Sequence, residues 1–597
     1  MCGIGGLFSQ RPVLAPTLRA MQTALRPRGP DAEHSKVWQH AALLHARLSI
    51  IDPRPIADQP MANARGDIWI VYNGEVYDWG GAAAELERAE PFRTRSDTEF
   101  ILRGYEAWGI EKLLERLRGM FAFAIADLAK GKIYLARDRM GEKPLVYTIL
   151  GGDLAFGSTV RSVLPFLSPA QRALSPEGID AYLAHRYVPA PGTVFKHVHR
   201  LENGHYLEFD LRTRGLAKRR YWHPAAESGS WLEALDQSVR MRTIADRPLG
   251  LFLSSGVDST VIASRLAHQR LTSFGTFTAA FPGSPMDESE HAAEAAALLG
   301  FPNTAVAIAD SMAGDFRAIV AALDEPFADP SSFPTWYLAR EVSRHVKVVL
   351  VGDGGDELFA GYKRIAKHLR TAWRGELRLP IPLRPAADGG KLATELAMDW
   401  KSAYSLRFSG FAPAQRAYLQ GRAQVRSLLY WRPPDEEPAD ARGQLLAIDA
   451  ANYLPEYILR KSDLCTMAHG LEARAPLVDH HFVQRIRAMP AKRVYTRPPK
   501  MLLGQALDAR LPANFLRRKK RGFNPPLKRW LRVDLAERFV GLGERLEALS
   551  AGQLARAAVD AFVGRYSAGA EHLAEQVLQL LVLDESLAQL STLARDG

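Results

Sequence analysis

Cysteine is almost missing from this chain: Cys2 and Cys465 are the only two in 597 residues. That excludes a disulfide-stapled scaffold and fits a reducing compartment. Long apolar runs are missing as well. No stretch approaches the ~20 residues that a membrane-spanning helix needs. No basic segment followed by an apolar one opens the chain, so neither a signal peptide nor an anchor is expected, and the expected location is cytoplasmic. There is no Gly-Lys-Ser/Thr phosphate loop, no internal repeat and no low-complexity segment. A net charge of +11 raises nucleic acid as a partner. The arginines, however, are scattered, the one dense run is "RRKKRGF" (Arg517 to Phe523), and no basic–aromatic repeat accompanies it. Neither nucleic acid nor membrane is therefore an expected partner.

What is present falls into two parts, as the length predicts. The first 212 residues read mainly as β structure. "IWIVYNGEVYDW" predicts two strands about a turn at Asn73-Gly74. "GMFAFAIADLAKGKIYLARD" predicts two more joined at Lys130-Gly131, and "SDTEFILRGYEAWG" has helical spacing. A polar, arginine-rich stretch, 213–230, reads as a linker. From Trp231 the order is strand, glycine-containing loop, helix, seen in "RPLGLFLSSGVDSTVIASRLAH" and again in "HVKVVLVGDGGDELFAGY". That alternation predicts a parallel sheet covered by helices. Helical periodicity dominates from about Lys363 onward. The expected fold class is a multidomain α/β chain with a helical C-terminal part, divided as 1–212, 213–230 and 231–597.

Two stretches carry chemistry. Cys2 stands directly behind the initiator methionine, followed by Gly3, Gly5 and Gly6. A thiol attacks as thiolate, with a free pKa of about 8.5. Once Met1 is removed, the α-amino group of Cys2 itself can take the thiol proton, the N-terminal form of an activated nucleophile. The structural alternative is a small residue buried in a first strand. In the second stretch, "LFLSSGVDST", Ser254, Ser255, Gly256, Asp258 and Ser259 lie between a buried strand and a helix start. Backbone N–H groups and hydroxyls there can hold phosphate. A serine- or aspartate-capped turn is the plainer reading. In "LVGDGGDELFAGY", Asp353, Asp356 and Glu357 would repel a bare pyrophosphate and make sense with Mg²⁺ between.

Further motifs decide between these readings. "RGPD" (Arg28 to Asp31), "RLSIID" (Arg47 to Asp52), "QPM", "YNGEVY", "SDTE", "GMFAFA" and "RDRMGEKPL" follow Cys2 in order. Together they resemble the class II glutamine amidotransferase domain, an N-terminal-nucleophile αββα sandwich. The resemblance implies that Cys2 attacks the glutamine side-chain amide and that Asn73 and the backbone of Gly74 form the oxyanion hole. Arg47 would take the glutamine carboxylate, and Glu75 and Asp97, with Asn73, the rest of the amino acid. Two positions depart from the pattern: Pro27 replaces the usual histidine, and no glutamate follows Ser158.

Beyond residue 231, the "SSGVDS" loop resembles the pyrophosphate loop of the ATP-pyrophosphatases, with Ser255 where glycine is commoner. "DEPFADPSSFPT", "LRKSDLCTMAHGLEARAPLVD" and "KKRGFNPP" extend the likeness to the asparagine synthetase domain. By that resemblance Leu253, Val351 and Gly352 line the ATP site with the serine loop. Asp258 and Asp356 hold Mg²⁺, Lys461 meets the α-phosphate and Asp463 positions it. Asp353 serves acyl-adenylate formation. The expected substrates are L-glutamine, ATP and L-aspartate, with ammonia passed through an interior tunnel; amidation of another carboxylate on a sugar, peptide or secondary metabolite stays open, as does a homodimer. An interaction protein with a dead glutaminase domain and an RNA-modifying ATP enzyme are the readings from other classes.

Overall fold

The computed structural model describes all residues except 1, 89, 285–286, 310, 382, 389, 435–437, 439, 513, 518–524 and 594–597. The basic run beyond Arg517 and most of "KKRGFNPP" lie outside the described residues. Alternating apolar residues near the N-terminus build two antiparallel six-stranded sheets. One has Cys2–Phe8 near its middle, between Ala41–Arg47 and Asp153–Gly157. The other has Arg118–Asp127 between Ile68–Tyr77 and Lys132–Arg137. Ile4, Phe8, Leu43 and Phe156 of the first meet Val71, Ala122, Ala124 and Leu135 of the second in one buried layer. Helix Ala15–Leu25 covers the first sheet through Met21 and Leu25. Helix Asp97–Arg116, capped by the Ser96 hydroxyl accepting from Thr98 N–H, covers the second through Phe100, Ile101 and Tyr105. The result is the expected αββα sandwich.

Two local expectations are corrected. Asn73-Gly74 is no turn: Ile68–Tyr77 is one continuous strand, paired residue for residue with Arg118–Asp127. Ten consecutive partners outweigh the local turn signal. Glycine at 74 serves a different need, because a Cβ there would lie 2.1 Å from the Met120 carbonyl oxygen. The expected linker 213–230 is also too long. Leu216–Arg220 forms an edge strand against His205–Asp210, leaving a shorter irregular connection. The Lys130-Gly131 hairpin is present as read, with Gly131 at φ +64°.

The second half is built on a five-stranded parallel sheet in the order Asn303–Ala307, Gly275–Ala280, Leu249–Phe252, Val348–Leu350, Glu472–Arg474. Helices Val257–His268, Ser289–Leu299 and Ser332–Val342 pack on it, and helices reaching Ala574–Thr592 complete the C-terminal part. The two halves are not separate bodies, because one hydrophobic cluster runs from Leu7 and Val146 through Leu251 and Val349 to Leu583. Buried ion pairs also cross between them, among them Arg118–Asp479 at 2.9 Å, Arg137–Glu456 at 3.1 Å and Arg200–Glu325 at 2.5 Å.

His185 belongs to this shared core. It stacks on Trp431, with ring centroids 5.1 Å apart, and neither ring nitrogen has a hydrogen-bond partner among the described residues. Burial holds its pKa down at about 3, from an ordinary 6.5. The folded imidazole therefore stays neutral while the unfolded one binds a proton below about pH 6.5, so stability is lost as pH falls. His185→Phe should remove about 2 kcal/mol of the stability difference between pH 7 and pH 5, read from denaturant unfolding at both pH values.

Candidate active sites

The first pocket forms where the two sheets open at the start of the chain. Strand register sets Cys2 opposite Arg47. A small cavity of about 40 Å³ is lined by Cys2, Arg47, Tyr72, Gly74, Glu75 and Asp97. Thus the sequence-predicted residues of this half converge, although they come from four separate segments. Asn73 closes the group: its side-chain oxygen accepts from Cys2 N–H at 2.9 Å, and its Nδ2 is buried with no partner among the described residues. An unsatisfied buried donor is costly, and this one belongs to a side chain tied to the Cys2 backbone.

Electrostatics divides the pocket into two poles. The Arg47 guanidinium is oriented by Asp58, by the Arg54 carbonyl at 3.2 Å and by the Asp52 carbonyl at 2.7 Å. Asp97 accepts from Tyr72 O–H at 2.6 Å and from Val76 N–H at 2.8 Å. Burial raises the pKa of Asp97, while these donors oppose the rise. Burial, and then the Asp97 charge, push Glu75 well above the ordinary carboxylate range, opposed by Arg474. A fixed cation at one end and two strained carboxyls at the other suit a zwitterionic amino acid. Burial raises the Cys2 thiol pKa, countered by a Leu48 backbone hydrogen bond and Arg47.

Arg474 and Glu472, not singled out in the sequence, come from the last strand of the other half. Arg474 is fully buried and donates to Glu472 at 2.5 Å, to Glu75 at 3.3 Å and to the carbonyls of Arg242 and Ile244 at 3.0 and 2.6 Å. Its own carbonyl accepts from Val351 N–H at 2.9 Å. Burial raises the Glu472 pKa, but the Arg474 and Lys143 charges oppose it, and it lies below the ordinary carboxylate range.

The second candidate site lies at the carboxyl ends of the parallel strands, where such sheets bind ligands. Leu249–Phe252 leads through Leu253, Ser254 and Ser255 to Gly256, whose extended backbone opens helix Val257–His268. Ser259 Oγ accepts from Ser254 N–H at 3.1 Å and lies 3.0 Å from Ser254 Oγ, fixing the loop. The Val351–Asp356 loop packs directly on it. A Cβ at Gly352 would meet Ser259 N at 2.8 Å, and one at Gly355 would meet Asp258 Oδ1 at 2.2 Å. Asp258 and Asp356 converge on a single cation, Lys500 Nζ, which donates to Asp258 at 2.6 and 2.8 Å and pairs with Asp356. Two carboxylates sharing one point fit Mg²⁺ held together with phosphate oxygens. No cluster of three or more acidic, histidine or cysteine ligands occurs among the described residues.

Lys461 and Asp353 lie together on the far side of the loop. Lys461 Nζ donates to Ser331 at 3.0 Å and pairs with Asp329 at 3.4 Å. Burial lowers its pKa, but Asp329 and Asp353 raise it further, so it stays charged. Asp353 accepts from the Ser462 hydroxyl, and burial raises its pKa against the Lys461 charge. Asp463 points the other way. It accepts from Arg28 at 2.8 and 3.1 Å and lies 3.6 Å from Lys143, both in the first half. Arg28 Nε also donates to the Cys2 carbonyl at 3.3 Å.

An N-terminal thiol pocket with a buried free amide donor, joined to a serine-loop nucleotide pocket on a parallel sheet, defines an amidotransferase coupled to an ATP-using domain. The family comparison agrees: the Glutamine amidotransferase domain model matches residues 1–222 and the Asparagine synthase model matches 230–594. The chain belongs to the asparagine synthase family. It is 30% identical over 573 residues to asparagine synthetase [glutamine-hydrolyzing] 1 of Bacillus subtilis, covering 90% of this chain and 89% of that one. It is also 28% identical to asparagine synthetase [glutamine-hydrolyzing] 3 of the same organism (87% and 86% covered) and 26% identical to amidase chry2 of Gibberella zeae (82% and 83%).

Replacing Arg474 tests the cross-half junction. Arg474→Leu leaves Glu75 and Glu472 buried without their guanidinium and should destabilise the protein by about 3–5 kcal/mol. Adding Glu472→Leu should restore part of the loss. Denaturant unfolding of both variants reads the difference.

Proposed function

We propose that the protein is a glutamine-dependent asparagine synthetase, converting L-aspartate, L-glutamine, ATP and water to L-asparagine, L-glutamate, AMP and pyrophosphate. The observation that carries the glutaminase half is the buried Asn73 Nδ2, without a partner among the described residues, on the side chain that holds Cys2 N–H. In this reading the α-amine of Cys2, freed by loss of Met1, takes the thiol proton. The sulfur attacks the glutamine amide carbon, and Asn73 Nδ2 with the Gly74 N–H receives the developing oxyanion, each donor worth roughly 3–4 kcal/mol. Arg47 holds the glutamine carboxylate and Glu75 and Asp97 its ammonium. Ammonia leaves, and water releases glutamate from the thioester.

In the second pocket the aspartate side-chain carboxylate attacks the α-phosphorus of ATP and pyrophosphate leaves. A carboxylate is a poor electrophile; the acyl-AMP supplies a good leaving group. Ser254, Ser255, Gly256 and Ser259 cradle the departing pyrophosphate, with Leu253, Val351 and Gly352 beside the adenosine. Lys461 neutralises the α-phosphate, and Asp353 assists adenylation and receives the ammonia proton. Asp258 and Asp356 would hold Mg²⁺, which when bound neutralises pyrophosphate charge. Lys500, placed between the same two carboxylates, contributes a further positive charge there. Ammonia passes inside the protein, and the Arg28 bridge from the Cys2 carbonyl to Asp463, two residues from Lys461, supports a short route. A relative named amidase, similar over most of the chain, favours keeping a second reading in which another carboxylic acid is amidated. Pyrophosphate release against a panel of acids, aspartate first, decides between them.

Cys2→Ala should lower glutamine-dependent synthesis by about 10³-fold or more while synthesis from added ammonium persists, measured as product formation with each nitrogen donor. Asp258→Ala and Lys500→Ala should abolish synthesis from both donors yet leave glutamate release from glutamine, read by a coupled glutamate assay.

A further inference from the structure

An unusual stretch of backbone precedes Lys461. Asp449–Leu459 is a π-helix that passes directly into helix Arg460–Met467. Helices of that kind are rare and are frequent at functional sites. Tyr453, Tyr457 and Lys461 follow one another at intervals of four. The rings of Tyr453 and Tyr457 stack with centroids 5.0 Å apart, and Phe408 meets both edge-on at 4.7 Å. Tyr362, at the end of the "LVGDGGDELFAGY" stretch, meets Tyr453 edge-on at 5.6 Å. The Arg364 guanidinium lies 4.1 Å from the ring centres of both Tyr362 and Tyr453, and Asp449 holds it at 3.0 Å. Tyr453 thus stands between the second glycine–aspartate loop and the helix of Lys461, its ring fixed by close packing.

Neighbouring phenols are engaged. Tyr362 O–H donates to Glu357 at 2.5 Å, Tyr404 O–H to Asp449 at 2.8 Å and Tyr187 O–H to the Asn452 carbonyl at 3.4 Å. Tyr453 is 5% exposed, and its O–H makes no hydrogen bond among the described residues. A buried donor without an acceptor is costly. The charges acting on this phenol are those of the synthetase site. Burial raises its pKa; Asp329 and Glu357 add to that, Arg364 and Lys461 oppose it, and the result is about 12. It therefore stays a donor at neutral pH. Asp329 is already occupied, accepting from the Ser331 N–H and hydroxyl and pairing with Lys461. An anionic oxygen entering beside Lys461 would satisfy the phenol.

We propose that the Tyr453 hydroxyl holds the carboxylic acid that is to be amidated. The inference rests on the reading of Lys461 as the residue that meets the α-phosphate. Tyr453 O–H donates to one oxygen of the reacting carboxylate, which leaves the other facing the α-phosphorus. That second oxygen forms the new bond to phosphorus, the bond from phosphorus to the bridging oxygen breaks, and pyrophosphate leaves with the electron pair. Tyr453 keeps its proton throughout. Because the group recognised is the carboxylate itself, the role holds for aspartate and for any other acid amidated here.

The test is pyrophosphate release from ATP with ammonium as nitrogen donor, for wild type and Tyr453→Phe, with L-aspartate and then the panel of acids. Tyr453→Phe keeps the ring stack and removes only the donor. Its kcat/KM for the acid should fall about tenfold or more. The KM for ATP and the release of glutamate from glutamine should stay at wild-type values, the latter verifying folding. If the variant fails to fold, the full chain carrying 3-fluorotyrosine at position 453 replaces it. Its fluorine resonance should move when the acid is added over a non-hydrolysable ATP analogue. An unchanged kcat/KM for the acid, an equal change in the KM for ATP, or an unmoved resonance overturns this inference alone. Wild-type protein that releases no pyrophosphate with any acid overturns the synthetase reading with it.

Discussion

The buried guanidinium of Arg474 is the contact on which the arrangement of the two sites depends. It comes from the edge strand of the parallel sheet, where its backbone carbonyl holds Val351 at the root of one nucleotide loop. Its side chain reaches across the junction to Glu75 in the thiol pocket. Removing a charge from water is expensive, and the expense is recovered only when every donor finds a partner. Glu472, Glu75 and two backbone carbonyls provide those partners. A shift of either half against the other would leave several charges unpaired at once, so the junction favours one registration. Arg28 with Asp463 and Arg118 with Asp479 repeat the device on either side.

This economy of charge also explains why each pocket looks unfinished. Glu75 and Asp97 are crowded carboxyls whose burial raises their pKa values, and an incoming ammonium would relieve them. Asn73 Nδ2 is a donor awaiting an acceptor. In the other pocket Lys500 binds two carboxylates that phosphate and a divalent cation would rearrange. These unfinished groups sit where ligands are expected, beside the ion-paired network between the two halves.

Residues close in sequence were the legible ones. The serine loop, the second glycine–aspartate loop and the Cys2–Gly6 opening each form a local unit whose backbone and chemistry are written together. The αββα layering was legible through the resemblance to the class II glutamine amidotransferase domain, and the parallel sheet through strand–helix alternation. Asn73-Gly74 misled because a turn signal is local, whereas ten cross-strand pairs are not. Leu216–Arg220 was hidden in a polar stretch because its strand is an edge, with little apolar residue to betray it. Arg474, Lys500 and Arg28 act across 399, 242 and 435 residues of sequence. Among 77 lysines and arginines, nothing beside Lys500 marks it, and the motifs that hold Arg28 and Arg474 do not tell which distant carboxylates they reach.

The central claim is that ammonia released at Cys2 reaches the activated acid without leaving the protein. The direct measurement supplies glutamine labelled at its amide nitrogen together with a large excess of unlabelled ammonium, and reads the label in the amide product. Product carrying nearly the full label of the glutamine agrees with internal transfer. Product whose label is diluted to that of the surrounding ammonium would contradict it.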